Sequence, residues 1–111
     1  MKIIPSKIDG ENNFQSFSFQ LENDADFVEF YTCSFVEFTI DISGITADEI
    51  KVSGAVSTTS SNFHQILDET GANPFTQNGL QNGVCSPFGK IKITKTGSTN
   101  TILGEISFRK R

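Results

Sequence analysis

The amino-acid sequence predicts an all-β protein, an antiparallel β-sandwich of the jelly-roll or immunoglobulin-like type with about seven to nine short strands. The apolar content lies mainly in 11 Phe residues and in Ile and Val, residue types that favour strands. Apolar and polar residues alternate with a period of two in several segments, as in half-buried strands. Clusters of Gly, Asn, Asp and Ser separate these segments and indicate turns.

The length of 111 residues indicates a single domain. Residues 1–13 contain Pro5, Gly10 and a pair of Asn residues, and we expect them to form an N-terminal arm with at most a short strand at residues 2–4. Such an arm either docks on a neighbouring subunit or lies along its own domain. Residues 14–111 are expected to form the sandwich.

Residues 34–56 are predicted to hold two strands that come together across a connection containing Ser43 and Gly44. The first strand places four apolar residues on one face: Val36, Phe38, Ile40 and Ile42. Phe35 falls on the opposite face of that strand. The second strand places three apolar residues on one face: Ile50, Val52 and Val56. Both patterns have the period of a half-buried strand.

Two strands are predicted before this pair. Phe14–Leu21 alternates large apolar residues with Ser and Gln, so one of its faces is expected to be buried. Phe27–Tyr31 is apolar on both faces, with Phe27 and Tyr31 on one and Val28 and Phe30 on the other. A strand of this kind is either covered on both sides or gives one face to a partner.

The rest of the chain is predicted to hold short strands and turns. Residues 63–67 form a short strand, and two Asn-Gly pairs within residues 72–84 indicate turns. Residues 90–95 and 101–108 alternate again and are expected to pair as a C-terminal hairpin.

The composition excludes several classes of protein. A net charge of −4 disfavours nucleic-acid binding, and the basic cluster at residues 109–111 is expected to be a solvated tail. No segment approaches the roughly 20 apolar residues that span a bilayer. The N-terminal apolar run is too short for a secretory signal, so we expect a soluble protein in which Cys33 and Cys85 are free thiols.

No residue pattern indicates a catalytic, cofactor-binding or metal site, and we expect a protein that is not an enzyme. His64 is the only histidine, has no nearby partner for general-base catalysis, and is expected on the surface. Four acidic residues match no standard calcium loop and are expected to be solvated: Asp24, Asp26, Asp41 and Asp48.

The aromatic residues exceed what one small sandwich usually buries. The excess lies in one part of the chain: Phe27, Phe30, Tyr31, Phe35, Phe38 and Phe63. An exposed apolar patch of this kind marks a contact surface. We therefore predict a partner interface that includes Phe27, Tyr31 and Phe35.

The order of features in residues 41–108 resembles small β-sandwich modules of tailed-bacteriophage virion proteins. The resemblance rests on the segments DISGITADEIKVSGAV and FHQILDETGANPFT and on the phrase FGKIKI at residues 88–93. Such modules occur in capsid decoration proteins, head fibres and tail appendages. The chain departs from them at Phe63, where those modules carry Trp.

The resemblance implies a structural virion protein, most readily an auxiliary or cement protein that binds and stabilises the capsid lattice. Its partner would be the major capsid protein or another virion protein, with self-association or lattice assembly, and the protein would reach the virion by assembly in the host cytoplasm. The alternative is a carbohydrate-binding or host-adhesion module of a tail or fibre, with Phe75 or Tyr31 in a groove rimmed by loops.

Overall fold

Two antiparallel sheets form the protein, which we describe from a computed structural model covering residues 1–10, 14–32, 35–65, 78–84 and 89–110. In this part of the chain there are nine strands and no helix. The strands are β1 (Ser6–Gly10), β2 (Phe14–Leu21), β3 (Phe27–Tyr31), β4 (Glu37–Ser43), β5 (Glu49–Ala55), β6 (His64–Gln65), β7 (Gly79–Val84), β8 (Lys90–Thr96) and β9 (Ile102–Arg109). The predicted all-β sandwich is confirmed.

The strand order identifies the type of sandwich. One sheet has the order β1-β2-β9-β4-β7 and the other the order β3-β8-β5-β6. From β2 to β9 the chain changes sheet at every connection except the one between β5 and β6. This arrangement is the double-sheet jelly roll, and β1 is an additional strand at the edge of the five-stranded sheet.

Two predicted strand pairings are wrong. β4 and β5 lie in different sheets, and so do β8 and β9, so neither pair forms a hairpin. The reason is that the apolar faces of consecutive strands meet across the core instead of lying side by side in one sheet. Gly44, with a φ of 93°, lies in the connection that carries the chain from β4 to the opposite sheet.

The core lies between the two inner faces, where the ring of Phe108 has a central position. Four other rings lie around it with centroid distances of 5.5–6.5 Å: Phe17, Phe30, Phe35 and Phe38. Aliphatic residues of both sheets surround these rings: Leu21, Val28, Ile40, Ile42, Ile45, Ile50, Val52, Ile91, Ile93, Ile102 and Ile106. The alternation predicted for β2, β3 and β9 matches the burial of their side chains.

Glycines within strands make room for core rings. The pair Asn82-Gly83, predicted as a turn, lies inside β7, and a Cβ atom on Gly83 would overlap the ring of Phe38. Gly104 in β9 has the same relation to Phe19. These glycines therefore allow the backbone to pack closely against the rings. At Gly83 the Asn-Gly pair predicted a turn instead of this packing role. Val56, expected to be buried, is exposed because β5 ends at Ala55.

The N-terminal segment lies along its own domain. Lys2 forms an isolated parallel bridge with Phe27, and the Ile3 N–H donates to the Phe27 carbonyl at 2.7 Å. β1 then pairs with β2 in the other sheet. Residues 1–10 therefore join the edges of both sheets, which is the second of the two arrangements expected for the arm. The boundary predicted after residue 13 lies outside the described residues.

Candidate functional site

The outer face of the four-stranded sheet carries two of the three aromatic residues predicted as an interface. β3 turns Val28 and Phe30 into the core and Phe27 and Tyr31 outward, as its alternation predicted. Tyr31 is 60% exposed and Phe27 is half-buried. The structure therefore brings Phe27 and Tyr31 onto one surface, four residues apart on the same strand.

Lysines of β8 lie between the aromatic rings of this surface. The register pairs Glu29 of β3 with Lys92 of β8. The Lys92 Nζ lies 4.4 Å from the ring centroid of Phe27 and 5.1 Å from that of Phe63. Contacts of this geometry are cation–π interactions, which hold the ammonium group and both rings in a defined arrangement.

A second lysine completes the surface beside Tyr31. Lys90 pairs with Tyr31 in the register, and its Nζ lies 3.4 Å from Glu29 Oε2 and 5.2 Å from the ring centroid of Phe63. Lys90 is thereby neutralised, whereas Lys92 forms no ion pair with any described residue. We call this surface the lysine–aromatic face; it consists of Phe27, Tyr31, Phe63, Lys90 and Lys92.

Phe35 does not belong to this face, and the prediction that it is exposed is wrong. Its side chain is 7% exposed, and its ring centroid lies 5.9 Å from that of Phe108. β4 begins only at Glu37, so the two-residue alternation does not extend back to Phe35. The Phe35 N–H donates instead to the carbonyl of Thr32 at 2.8 Å, and the Phe35 ring packs in the core.

The outer face of the five-stranded sheet has a different character. Asp41 of β4 and Glu105 of β9 are directly opposite each other in the register, and both are exposed. Two grooves, of about 500 and 190 Å³, lie on this face and share these two carboxylates. Leu103 lines the larger groove and Leu80 the smaller. We call this surface the acidic face; it consists of Asp41, Glu105, Leu80 and Leu103, and Arg109 lines the end of the smaller groove.

The described residues include no group of three or more His, Cys, Asp or Glu side chains able to hold a metal ion. His64 is exposed on β6, opposite Gly54 of β5, so its predicted surface location is confirmed. Within the same residues no helix is long and apolar enough to cross a membrane. Cys33, Phe75 and Cys85 lie outside the described residues.

A buried ion pair lies at one end of the sandwich. Lys95 is fully buried, and its Nζ lies 3.3 Å from Asp48 Oδ2 and donates to the Glu22 carbonyl at 2.8 Å. Asp48 also accepts the backbone N–H groups of Thr99 and Asn100. One carboxylate thus ties the β4–β5 connection to β8 and to the β8–β9 connection.

Asp26 has a similar role in the β2–β3 connection. It accepts the N–H groups of Glu22 and Asn23 at 3.1 and 2.8 Å. Asp26 and Asp48 are almost fully buried, so the expectation that these acidic residues are solvated is wrong for both. Sequence reasoning also missed Lys95, although it occupies the next inward position after Ile91 and Ile93 in the strand pattern.

The two buried carboxylates make stability depend on acid pH. The hydrogen bond from the Asn23 N–H lowers the pKa of Asp26, and that from the Asn100 N–H lowers the pKa of Asp48, from an ordinary value of 3.8. A carboxyl group whose pKa is lower in the folded state than in the unfolded state stabilises the fold when it is ionised. This contribution to the free energy of unfolding is fully present above the unfolded-state pKa and is lost as pH falls through the folded-state pKa.

We therefore expect the free energy of unfolding to decrease with acidity below about pH 4, without a contribution from these two groups between pH 5 and 7. Urea denaturation over a pH series measures this dependence. The variant Asp48→Asn lacks one of the two titrations, so its curve should fall less steeply below pH 4. Equal slopes for the variant and the parent protein would contradict the assignment.

Comparison with known proteins shows the fold. No protein family and no curated protein sequence matches the chain. The SPBc2 prophage-derived protein YomS superposes with a TM-score of 0.60 at 15% identity, over 91% of this chain and 98% of that one. An RmlC-like cupin from Desulfovibrio desulfuricans has a TM-score of 0.55 at 11% identity, over 97% and 82% of the two chains.

A double-stranded β-helix protein from Klebsiella pneumoniae is similar in the same way, with a TM-score of 0.57 at 7% identity over 97% of this chain and 73% of that one. The chain therefore has the jelly-roll architecture that these proteins share. At such identities the similarity concerns architecture, since one fold hosts many functions.

Proposed function

We propose that this protein is a structural component of a tailed-phage particle, an auxiliary or cement protein without enzymatic activity. It attaches through the lysine–aromatic face to a neighbouring subunit of the shell and stabilises the lattice. The observation that carries the proposal is the outward position of Tyr31 and Phe27 beside Lys92 on a regular sheet face. A jelly-roll protein of prophage origin with nearly the same extent supports it.

The chemistry of the face suits attachment to another protein. Tyr31 offers a large amphipathic area and has few rotatable bonds to immobilise, so its ordering loses little entropy on binding. The cation–π contacts hold Phe27, Phe63 and Lys92 in place before a partner arrives. Preorganisation of this kind favours affinity because less freedom is lost on association.

The remaining features follow from the same proposal. In the described part of the chain, packed apolar side chains occupy the space between the sheets, so binding is expected on the outer surfaces. The partner is the major capsid protein or another virion protein, and no nucleic acid or membrane is required. Binding to the assembled lattice stabilises it by mass action, and the protein resides in the virion after assembly in the host cytoplasm.

Co-sedimentation with shells of the major capsid protein tests this function. We expect the protein to sediment with shells and Tyr31→Asp to weaken binding at least about tenfold, because it places a charge at an aromatic contact. Ile8→Asp is the matched control, since Ile8 is 53% exposed on β1, away from the lysine–aromatic face. Absence of shell binding, or equal binding by the Tyr31→Asp variant, would refute the proposal.

Deleting residues 1–13 is not a suitable test of attachment. The deletion would remove β1 and the packing of Ile3 against the core, so it would perturb the domain itself. Point substitutions on the lysine–aromatic face avoid this ambiguity. If the protein does not bind shells but binds a glycan array, and Tyr31→Ala abolishes the glycan binding, the carbohydrate-binding alternative replaces the cement function.

A further inference from the structure

The lysine–aromatic face has cations that the described fold does not neutralise. Lys90 is paired with Glu29, but neither Lys92 nor the exposed Lys51 on the neighbouring β5 forms an ion pair with a described residue. Lys51 and Phe27 both pair with Thr94 of β8, on opposite sides, so Lys51 belongs to the same outer surface. This surface therefore combines exposed aromatic area with positive charge.

The opposite side of the same molecule has the complementary composition. Asp41 and Glu105 are cross-strand neighbours and form no ion pair with any residue in the described ranges. Like charges directly opposite in a sheet are destabilising, so a cation supplied from outside would relieve this pair. Leu80 and Leu103, 73% and 51% exposed, add apolar area around the two carboxylates.

We propose that the lysine–aromatic face of one molecule docks on the acidic face of a second copy of this chain. Lys92 and Lys51 then approach Asp41 and Glu105, while Tyr31 and its neighbouring rings cover the exposed leucines. The inference rests on the proposed function in that it uses the same attachment surface, and it adds a second copy of the chain as a further partner of that surface besides the shell.

Charge selects this arrangement over the symmetric ones. On the lysine–aromatic side Lys51, Lys90 and Lys92 outnumber Glu29 and Glu49, and on the acidic side carboxylates predominate, so charge disfavours both isologous contacts. Only the contact between unlike faces gains from charge and from apolar burial together. The docking is therefore heterologous, and repeating it produces a ring or an open stack.

The size of the faces is adequate for a stable contact. The molecule measures 36 × 28 × 28 Å, so a covered sheet face approaches the roughly 800 Å² per partner of a standard interface. The two faces lie on opposite sides of the sandwich, so each copy can engage one neighbour on either side. A small cation alone would neutralise the acidic pair but would leave the leucines and aromatic rings exposed.

Sedimentation velocity of the full chain over a concentration series, at low and high salt, tests the docking. We expect concentration-dependent oligomers that weaken at high salt, because the contact is partly electrostatic. Lys92→Glu and Asp41→Lys should each weaken association at least about tenfold. An equimolar mixture of the two variants should associate again, because each retains the face that the other has lost.

Control variants separate surface chemistry from net charge. Lys7→Glu, opposite the inward Phe17, and Asp24→Lys, in the β2–β3 connection, change the charge by the same amounts outside both faces and should associate like the parent protein. Lys51→Glu, at an exposed site of the same surface, repeats the test should Lys92→Glu impair folding. A monomer at every concentration, no rescue on mixing, or equal weakening by the controls would overturn the inference.

Shell binding by the same proteins distinguishes this inference from the proposed function. A chain that stays monomeric but sediments with shells in a Tyr31-dependent manner refutes the self-docking and retains the cement function. A chain that self-associates through the two faces but does not bind shells retains the self-docking and refutes the cement function.

Discussion

Replacing Phe108 by alanine is expected to lower the free energy of unfolding by about 3–5 kcal/mol. The Phe108 side chain is almost completely buried, and four aromatic rings surround it within 6.5 Å, centroid to centroid. Removing the ring leaves a cavity that rings from both sheets border, so the surrounding structure cannot readily collapse into it. Chemical denaturation followed by circular dichroism measures the loss.

Leu103→Ala is the matched control for Phe108→Ala. Leu103 lies on the same strand but faces outward, so its truncation should change stability by no more than about 0.5 kcal/mol. A loss at Phe108 similar to that at Leu103 would show that Phe108 does not occupy the centre of the core. The comparison therefore also tests the assignment of faces on β9.

Lys95→Met is expected to reduce stability by about 3–5 kcal/mol, the range observed when one partner of a buried ion pair is removed. The substitution leaves Asp48 buried without its cation and removes the donor to the Glu22 carbonyl. It also loosens the attachment between β8 and the β4–β5 connection. Thermal unfolding monitored by circular dichroism should show a correspondingly lower Tm.

Lys51→Met provides the comparison for Lys95→Met, because Lys51 is an exposed lysine on the adjacent strand. Its replacement should leave the Tm nearly unchanged. If the two substitutions have the same small effect, the Lys95–Asp48 pair does not hold the end of the sandwich together.

The strands were largely predictable because their signal is local. Alternation in Phe14–Leu21 and Phe27–Tyr31 correctly gave both the strands and their buried faces. Strand pairing was not predictable from the same patterns, because a turn signal does not encode whether the next strand lies beside the previous one or across the core. β8 and β9 show this, since a convincing hairpin pattern joins strands of different sheets.

The candidate site was predictable only in part. The pattern of β3, apolar on both faces, correctly placed Phe27 and Tyr31 together on an outer face. The position of Lys92 between Phe27 and Phe63 depends on a register between distant strands, which no local pattern contains. Phe35 was misplaced because the alternation was extended beyond the first residue of its strand.

The strand order has a consequence for synthesis on the ribosome. β9 lies between β2 and β4 in one sheet, and β8 lies between β3 and β5 in the other. Each of the last two strands of the described chain is thus an interior strand of one of the two sheets. A nascent polypeptide that has not yet released them cannot complete native hydrogen bonding in either sheet. Only the pairs β1–β2, β4–β7 and β5–β6 can form before β8 and β9 emerge, so the sandwich is completed late. Until then β2 to β5 lack their interior neighbours and are accessible to chaperones.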